Sequence, residues 1–122
     1  KQIQKLDIYE KGYIYLQSLS SMIPPLVLNP TEGEKVLDLT AAPGSKTTQL
    51  SALMNNNGYI LANELDKIRY ERLKYNVEAK ESKIVEVIKA TPVGDFCQSQ
   101  VCFTHETFCV HDAGKVNIVC NL

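Results

Sequence analysis

The sequence predicts an α/β fold: a Rossmann-like half unit whose partial parallel sheet carries flanking helices and orders its strands 3-2-1. Three observations predict it. The apolar run Val36-Leu37-Asp38-Leu39 enters a tight turn at Pro43-Gly44 and then a helix-forming stretch from Ser45. A second apolar run, Tyr59 to Asn63, ends on Glu64 about 20 residues beyond the glycine, the spacing at which Rossmann units place a ribose-binding acid. A third run, Lys83 to Lys89, is β-branched and partly alternating, and follows a charged helical stretch. Alternation of strand and helix in this order favours parallel pairing through crossover helices.

Residues 1–30 form a lead-in segment with a short helix, 31–90 the half Rossmann unit, and 91–122 a divergent cysteine-containing tail. In the lead-in, Tyr13 to Gln17 is read as a short strand. Ser20 or Ser21 is expected to cap a helix carrying Met22, Ile23, Leu26 and Val27, with Pro24-Pro25 confined to its first turn, where proline is tolerated. Asn29 to Gly33 is a loop by its turn residues. The first core strand spans Lys35 to Thr40. The helix after the turn runs from about Ser45 to Asn55, burying Leu50, Leu53 and Met54, and stops in Asn55-Asn56-Asn57-Gly58. The next helix covers Asp66 to Ala79, with Ile68, Leu73 and Val77 inward. Val116 to Cys120 is a candidate fourth strand. Without it, the first strand would present an open edge and invite self-association.

The turn carries the chemistry. It places free N–H groups at a helix N-terminus beside the carboxyl end of a strand, where open α/β sheets bind ligands. Pro43 sets one φ, and Gly44 lets the backbone bend sharply without a Cβ in the way. The phosphate-loop pattern fails because Ser45, not glycine, precedes Lys46. The dinucleotide pattern fails because Gly44 is the single glycine of the turn. A nucleoside without pyrophosphate fits, and S-adenosylmethionine is the obvious candidate. Asp38, inside a buried strand, is expected to hold the turn N–H groups or the cofactor amine.

Gln17-Ser18-Leu19-Ser20-Ser21-Met22-Ile23-Pro24-Pro25, Val36 to Gln49, and Leu61-Ala62-Asn63-Glu64 with Arg69 and Asn76 together resemble the RNA (cytosine-5) methyltransferases of the NOL/NOP/Sun type. Within them, the pattern is most similar to bacterial small-subunit rRNA enzymes of the RsmF kind. The resemblance covers about Tyr13 to Lys89, and the Ala-Ala-Pro-Gly-Ser-Lys-Thr string is its most specific part. It implies an S-adenosylmethionine-dependent methyltransferase core acting on rRNA. By resemblance, Thr40, Ala41, Ala42, Pro43, Gly44, Ser45 and Lys46 wrap the methionine end of the cofactor and Glu64 takes the ribose hydroxyls. Arg69 joins this cofactor set, its alternative being a simple ion pair with Glu64.

After Ala90 the resemblance stops. In that family, later motifs of the Asp-Ala-Pro-Cys-Ser-Gly and Thr-Cys types supply two cysteines. One attacks the pyrimidine ring and the other helps release product. Neither motif occurs here, so no catalytic residue is assigned, and the expectation is a core cut short after the third strand and inactive alone. The chain opens on Lys1 rather than Met, as an excised piece would.

Cys97, Cys102, Cys109 and Cys120 all lie in the tail, with His105 and His111 among them. Their spacing lacks the paired C-x-x-C of zinc modules, so no metal is assigned, and a tail of small apolar thiols is favoured over a zinc site or a catalytic thiolate. Thirteen basic against 14 acidic residues argue against strong autonomous RNA binding. Lys67, Arg69, Arg72 and Lys74 are interleaved with Asp66, Glu71 and Glu78, which reads as a solvated face. No apolar run approaches the roughly 18 residues of a membrane span, and no signal pattern opens the chain, so a cytoplasmic location is expected. The competing readings are a non-catalytic remnant that binds S-adenosylmethionine or a protein, and a metal-stabilised module built on the tail.

Overall fold

A computed structural model describes residues 2–90 and the strand at 116–119. After a single 3-10 turn at Ile3–Lys5, the elements are α1 (Asp7–Glu10), α2 (Leu19–Leu28), β1 (Lys35–Asp38), α3 (Ser45–Leu53), β2 (Tyr59–Asn63), α4 (Lys67–Ala79), β3 (Val85–Ile88) and β4 (Val116–Val119). All strand pairs are parallel and the sheet order is β3-β2-β1-β4. The expected 3-2-1 order holds. The candidate fourth strand forms over Val116–Val119: β4 pairs with β1 along its whole length, from Lys35 opposite Val116 to Asp38 opposite Val119. β1 is therefore an interior strand, flanked by β2 on one side and β4 on the other.

Both crossovers cover one face of the sheet. Alternation along the strands sends Val36, Ile60, Ala62, Val85 and Val87 to that face. Under α3, Val36, Leu50, Met54 and Ile60 form one buried cluster; under α4, Ala41, Ala42, Ala62, Leu73 and Val77 form the other, with Val85 touching both. Residues of the opposite parity, Leu37, Leu61 and Ile88, face the other side and are only half-buried. There the Tyr59 hydroxyl bonds the Glu86 carboxylate across β2 and β3. Among the described residues no helix is long and apolar enough to cross a membrane.

Several local expectations are corrected. Tyr13 to Gln17 is an extended connector, not a strand; the Ile14 carbonyl is taken by Lys80 Nζ at 2.6 Å rather than by a ladder. Ser18, not Ser20 or Ser21, caps α2, its hydroxyl accepting from the Ser21 N–H at 3.3 Å. The earlier start puts Pro24 and Pro25 in the second turn rather than the first. The carbonyls of Ser20 and Ser21 that lose N–H partners lie on residues that water reaches. Of the apolar side chains that the sequence places on α2, Met22 is half-buried while Ile23, Leu26 and Val27 are more than half exposed, and Leu19 is 82% exposed. α3 ends at Leu53 and turns its face Thr47-Leu50-Ser51-Met54 inward, leaving Leu53 half-buried. On α4, Leu73 and Val77 are buried as expected, but Ile68 is 67% exposed. Five residues from Leu73 is about 140° around a helix, which takes Ile68 off the inward face. The Asn55 to Gly58 stop signal holds, with Asn55, Asn56 and Gly58 all at positive φ.

Candidate cofactor site

β1 ends at Asp38, and the chain from Leu39 to Gly44 passes over the carboxyl edge of the sheet before α3 begins. Ala41 N–H donates to the Asn63 carbonyl at 2.9 Å and Gly44 N–H to the Ala41 carbonyl at 2.8 Å, closing the turn against the end of β2. Asn63 is fully buried there. Its side-chain Nδ2 donates to the Leu39 carbonyl at 3.0 Å and its side-chain Oδ1 accepts from the Ala90 N–H at 2.8 Å, so it ties the ends of β1 and β3 beneath the turn. Gly44 sits at φ +104°, a conformation that penalises any Cβ, and a Cβ there would lie 3.1 Å from the Leu73 side chain. No side chain caps α3, so the first-turn N–H groups from Ser45 onward carry the positive end of the helix to the site.

Two buried carboxylates face this region from the strand ends. Asp38 is fully buried; Oδ2 accepts from Thr47 Oγ1 at 2.7 Å, and the Thr40 backbone N–H also bonds the carboxylate. Desolvation lifts its pKa from 3.8 to about 6, against the lowering pull of Thr47, Lys46 and Thr40 and with a small push from Glu64. Oδ1 has no hydrogen-bond partner among the described residues. Lys46 is held below the ordinary lysine value, chiefly by its own desolvation, with Asp38 pulling the other way. Glu64, at the end of β2, is 5% exposed. Its Oε1 accepts from the Asp66 N–H at 3.0 Å, while Oε2 lies 3.4 Å from Arg69 Nη2 and lacks a hydrogen bond. Unmet acceptors cost free energy when buried, so a site with two of them beside uncapped helix N–H groups matches a ligand bearing an ammonium or hydroxyl donors together with an anion.

The sequence-predicted residues come together. Thr40 to Lys46 form the continuous turn, and Glu64 and Arg69 stand beside it. Of the two readings of Arg69, the ion pair is the one seen: Nη2 lies 3.4 Å from Glu64 Oε2 and also donates to the Ala42 carbonyl at 3.0 Å. Sequence reasoning assigned no role to Thr47, the partner of Asp38, to Asn63, the tie beneath the turn, or to Asn76, whose Nδ2 donates to the Pro43 carbonyl at 2.6 Å. A signal existed for Asn63, a carboxamide closing an apolar strand. On the other side of the turn, a cleft of about 380 Å³ opens between it and the start of α2, with Gln17, Ser18 and Ser21 facing Pro43, Lys46 and Arg69. Gln17 Nε2 donates to Gln49 Oε1 at 2.9 Å and Gln49 Nε2 to the Met22 carbonyl at 3.1 Å, fixing α2 to α3. The tail cysteines and histidines lie outside the described residues, and among those described no group of side chains is arranged to hold a metal.

A parallel sheet with both crossovers on one face, a single-glycine turn after β1 and a buried acid after β2 define a Rossmann-like methyltransferase core. The same architecture appears in the crystal structure of NSun6 from Pyrococcus horikoshii with SFG, which superposes with a TM-score of 0.68 at 36% identity over 72% of this chain and 23% of that one. The chain belongs to the 16S rRNA methyltransferase RsmB/F family, whose model matches residues 25–103. It is 37% identical over 87 residues to the tRNA (cytosine(72)-C(5))-methyltransferase of Pyrococcus horikoshii, covering 71% of this chain and 22% of that protein. It is 45% identical over 71 residues to the ribosomal RNA small subunit methyltransferase F of Shewanella sediminis, covering 55% and 15% respectively. The chain thus spans under a quarter of the length of these relatives.

Proposed function

We propose that this chain is the S-adenosylmethionine-binding part of an RNA (cytosine-5) methyltransferase acting in the cytoplasm, with rRNA as the substrate class. The observation that carries the reading is that Asp38 Oδ1 and Glu64 Oε2, buried acceptors at adjacent strand ends with no hydrogen-bond partner among the described residues, flank the turn and the start of α3, which no side chain caps. Asp38 Oδ1 accepts from the cofactor ammonium, the first N–H groups of α3 and Lys46 meet its carboxylate, and Glu64 Oε2 takes the ribose hydroxyls. Arg69 sets the Glu64 carboxylate and the Ala42 carbonyl relative to one another. Bound S-adenosylmethionine supplies the methyl group; the thiolate that activates the cytosine ring comes from motifs that these 122 residues do not include.

Calorimetric titration of the chain with S-adenosylmethionine, beside Gly44→Trp and Glu64→Ala, tests the reading. Binding that both substitutions abolish supports it, and a folded wild-type chain that does not bind overturns it. A second reading is a cofactor-binding module without catalysis. Methyl transfer to rRNA by the isolated chain would defeat that reading.

A further inference from the structure

One stripe of α4 holds the cofactor turn from below. Arg69, Leu73, Asn76 and Lys80 recur at helical spacing on one side of the helix. Arg69 donates to the Ala42 carbonyl, Leu73 packs beneath Gly44, and Asn76 donates to the Pro43 carbonyl at 2.6 Å, so three successive residues of the turn rest on α4. The same Asn76 Nδ2 lies 3.4 Å from the Tyr15 hydroxyl. Tyr15 belongs to the segment ahead of α2, and that segment is fastened to the end of the same helix. Lys80 Nζ donates to the Ile14 carbonyl at 2.6 Å and stands 5.5 and 5.7 Å from the ring centroids of Tyr9 and Tyr15. Gly12, at φ +79°, lies so close to α4 that a Cβ would come within 2.2 Å of the Ala79 carbonyl oxygen.

We propose that Asn76 is a positioning residue that couples docking of the N-terminal segment to the geometry of the Pro43–Gly44 turn, and through it to cofactor affinity. The affinity part rests on the S-adenosylmethionine reading above. Asn76 touches no reacting group; it acts by fixing a carbonyl, and Tyr15 acts by fixing Asn76. Undocking the segment leaves the core in place, because neither Ile3–Lys5 nor α1 contributes a buried residue. Asn76 Nδ2 then loses the Tyr15 hydroxyl, one of the two acceptors that orient it, and keeps only the Pro43 carbonyl.

The test is a double-mutant cycle in the full 122-residue chain with Asn76→Asp, which removes the donor at constant size, and Gly12→Val, which blocks seating on Ala79. Two readouts are followed: the Gly44 backbone amide resonance without ligand, and the Kd for S-adenosylmethionine. Asn76→Asp is expected to shift the Gly44 resonance and weaken binding about tenfold, the scale of one polar contact. Gly12→Val is expected to shift the same resonance and weaken binding by about threefold, while adding less than about twofold once Asn76 is Asp. Asn76→Ala repeats the cycle should Asp prevent folding. Independent, multiplicative effects, or an unmoved Gly44 resonance, overturn the coupling. A wild-type chain that binds no S-adenosylmethionine overturns the proposed function instead, and the Gly44 resonance still decides the coupling.

Discussion

Thr47 Oγ1 donates to Asp38 Oδ2 at 2.7 Å, and both residues are fully buried. That single bond, with the Thr40 N–H, is what the protein offers a carboxylate stripped of water, and it is not enough to restore the ordinary pKa. Asp38 in the folded chain titrates at about 6 rather than 3.8. Its folded pKa is raised, so the folded state binds the proton more tightly than the unfolded state. Its contribution therefore favours folding as pH falls through 6 toward 3.8, and opposes folding above 6. The opposition at pH 7 is on the order of 3 kcal/mol. Asp38→Asn keeps an acceptor for Thr47 and removes the charge. The expected result is a higher Tm at pH 7.5 and a flatter dependence of stability on pH between 4 and 7, read by calorimetry. A variant with the wild-type pH profile would show that Asp38 is not the titrating group.

Cofactor affinity is expected to run the other way. An ammonium beside Asp38 favours the carboxylate, so binding S-adenosylmethionine requires the proton to leave. Below pH 6 the affinity falls, approaching tenfold per pH unit for one linked proton. Titrations at pH 5, 6 and 7.5 measure the slope, and a flat profile would place the ammonium elsewhere.

Glu64→Gln retains an acceptor for the Asp66 N–H and loses the charge that faces Arg69. Charged hydrogen bonds are worth about 1.5–3 kcal/mol, so the Kd is expected to rise by roughly 10- to 150-fold with little change in Tm. Arg69→Ala is expected to raise it less, since the Arg69 side chain is half exposed and its pair with Glu64 is partly screened. An equal or larger loss from Arg69→Ala would mean that Arg69 meets the ligand directly.

Two sets of apolar residues are expected to respond in opposite ways. Leu50→Ala empties a fully buried position under β1 and β2 and is expected to cost about 2–5 kcal/mol. Leu19→Lys and Ile23→Lys alter the exposed stripe of α2 and are expected to change stability by no more than about 0.5 kcal/mol. Denaturant melts compare them. A large loss from the α2 substitutions would reveal burial of that stripe in solution.

Local signals were the most legible part of the chain. The Asn55-Asn56-Asn57-Gly58 stop and the β1-turn-α3 join follow from φ preferences that act over a few residues. Inward faces were harder to read. Leu53 and Ile68 are apolar and close to the right period, yet Thr47 and Ser51 take the places nearest the sheet on α3. A threonine was needed there because Asp38 is buried opposite it, and no periodicity in hydrophobicity records a polar pair. The α2 cap was misplaced because Ser18, Ser20 and Ser21 carry the same cap chemistry, and only the geometry distinguishes them.

The sequence by itself determined the order of strands and helices from β1 to β3, the glycine turn and the acid that stands beside it. Those features depend on conformational preferences and spacings along a few residues. Tertiary structure alone decided how the turn is held. Arg69 reaches Ala42, Asn76 reaches Pro43, and Lys80 reaches Ile14 across 27, 33 and 66 residues of chain. These contacts exist because α4 docks with one stripe against the turn and the N-terminal segment. Burial likewise decided the state of Asp38, since its carboxylate shifts only when the surrounding helix and strands exclude water.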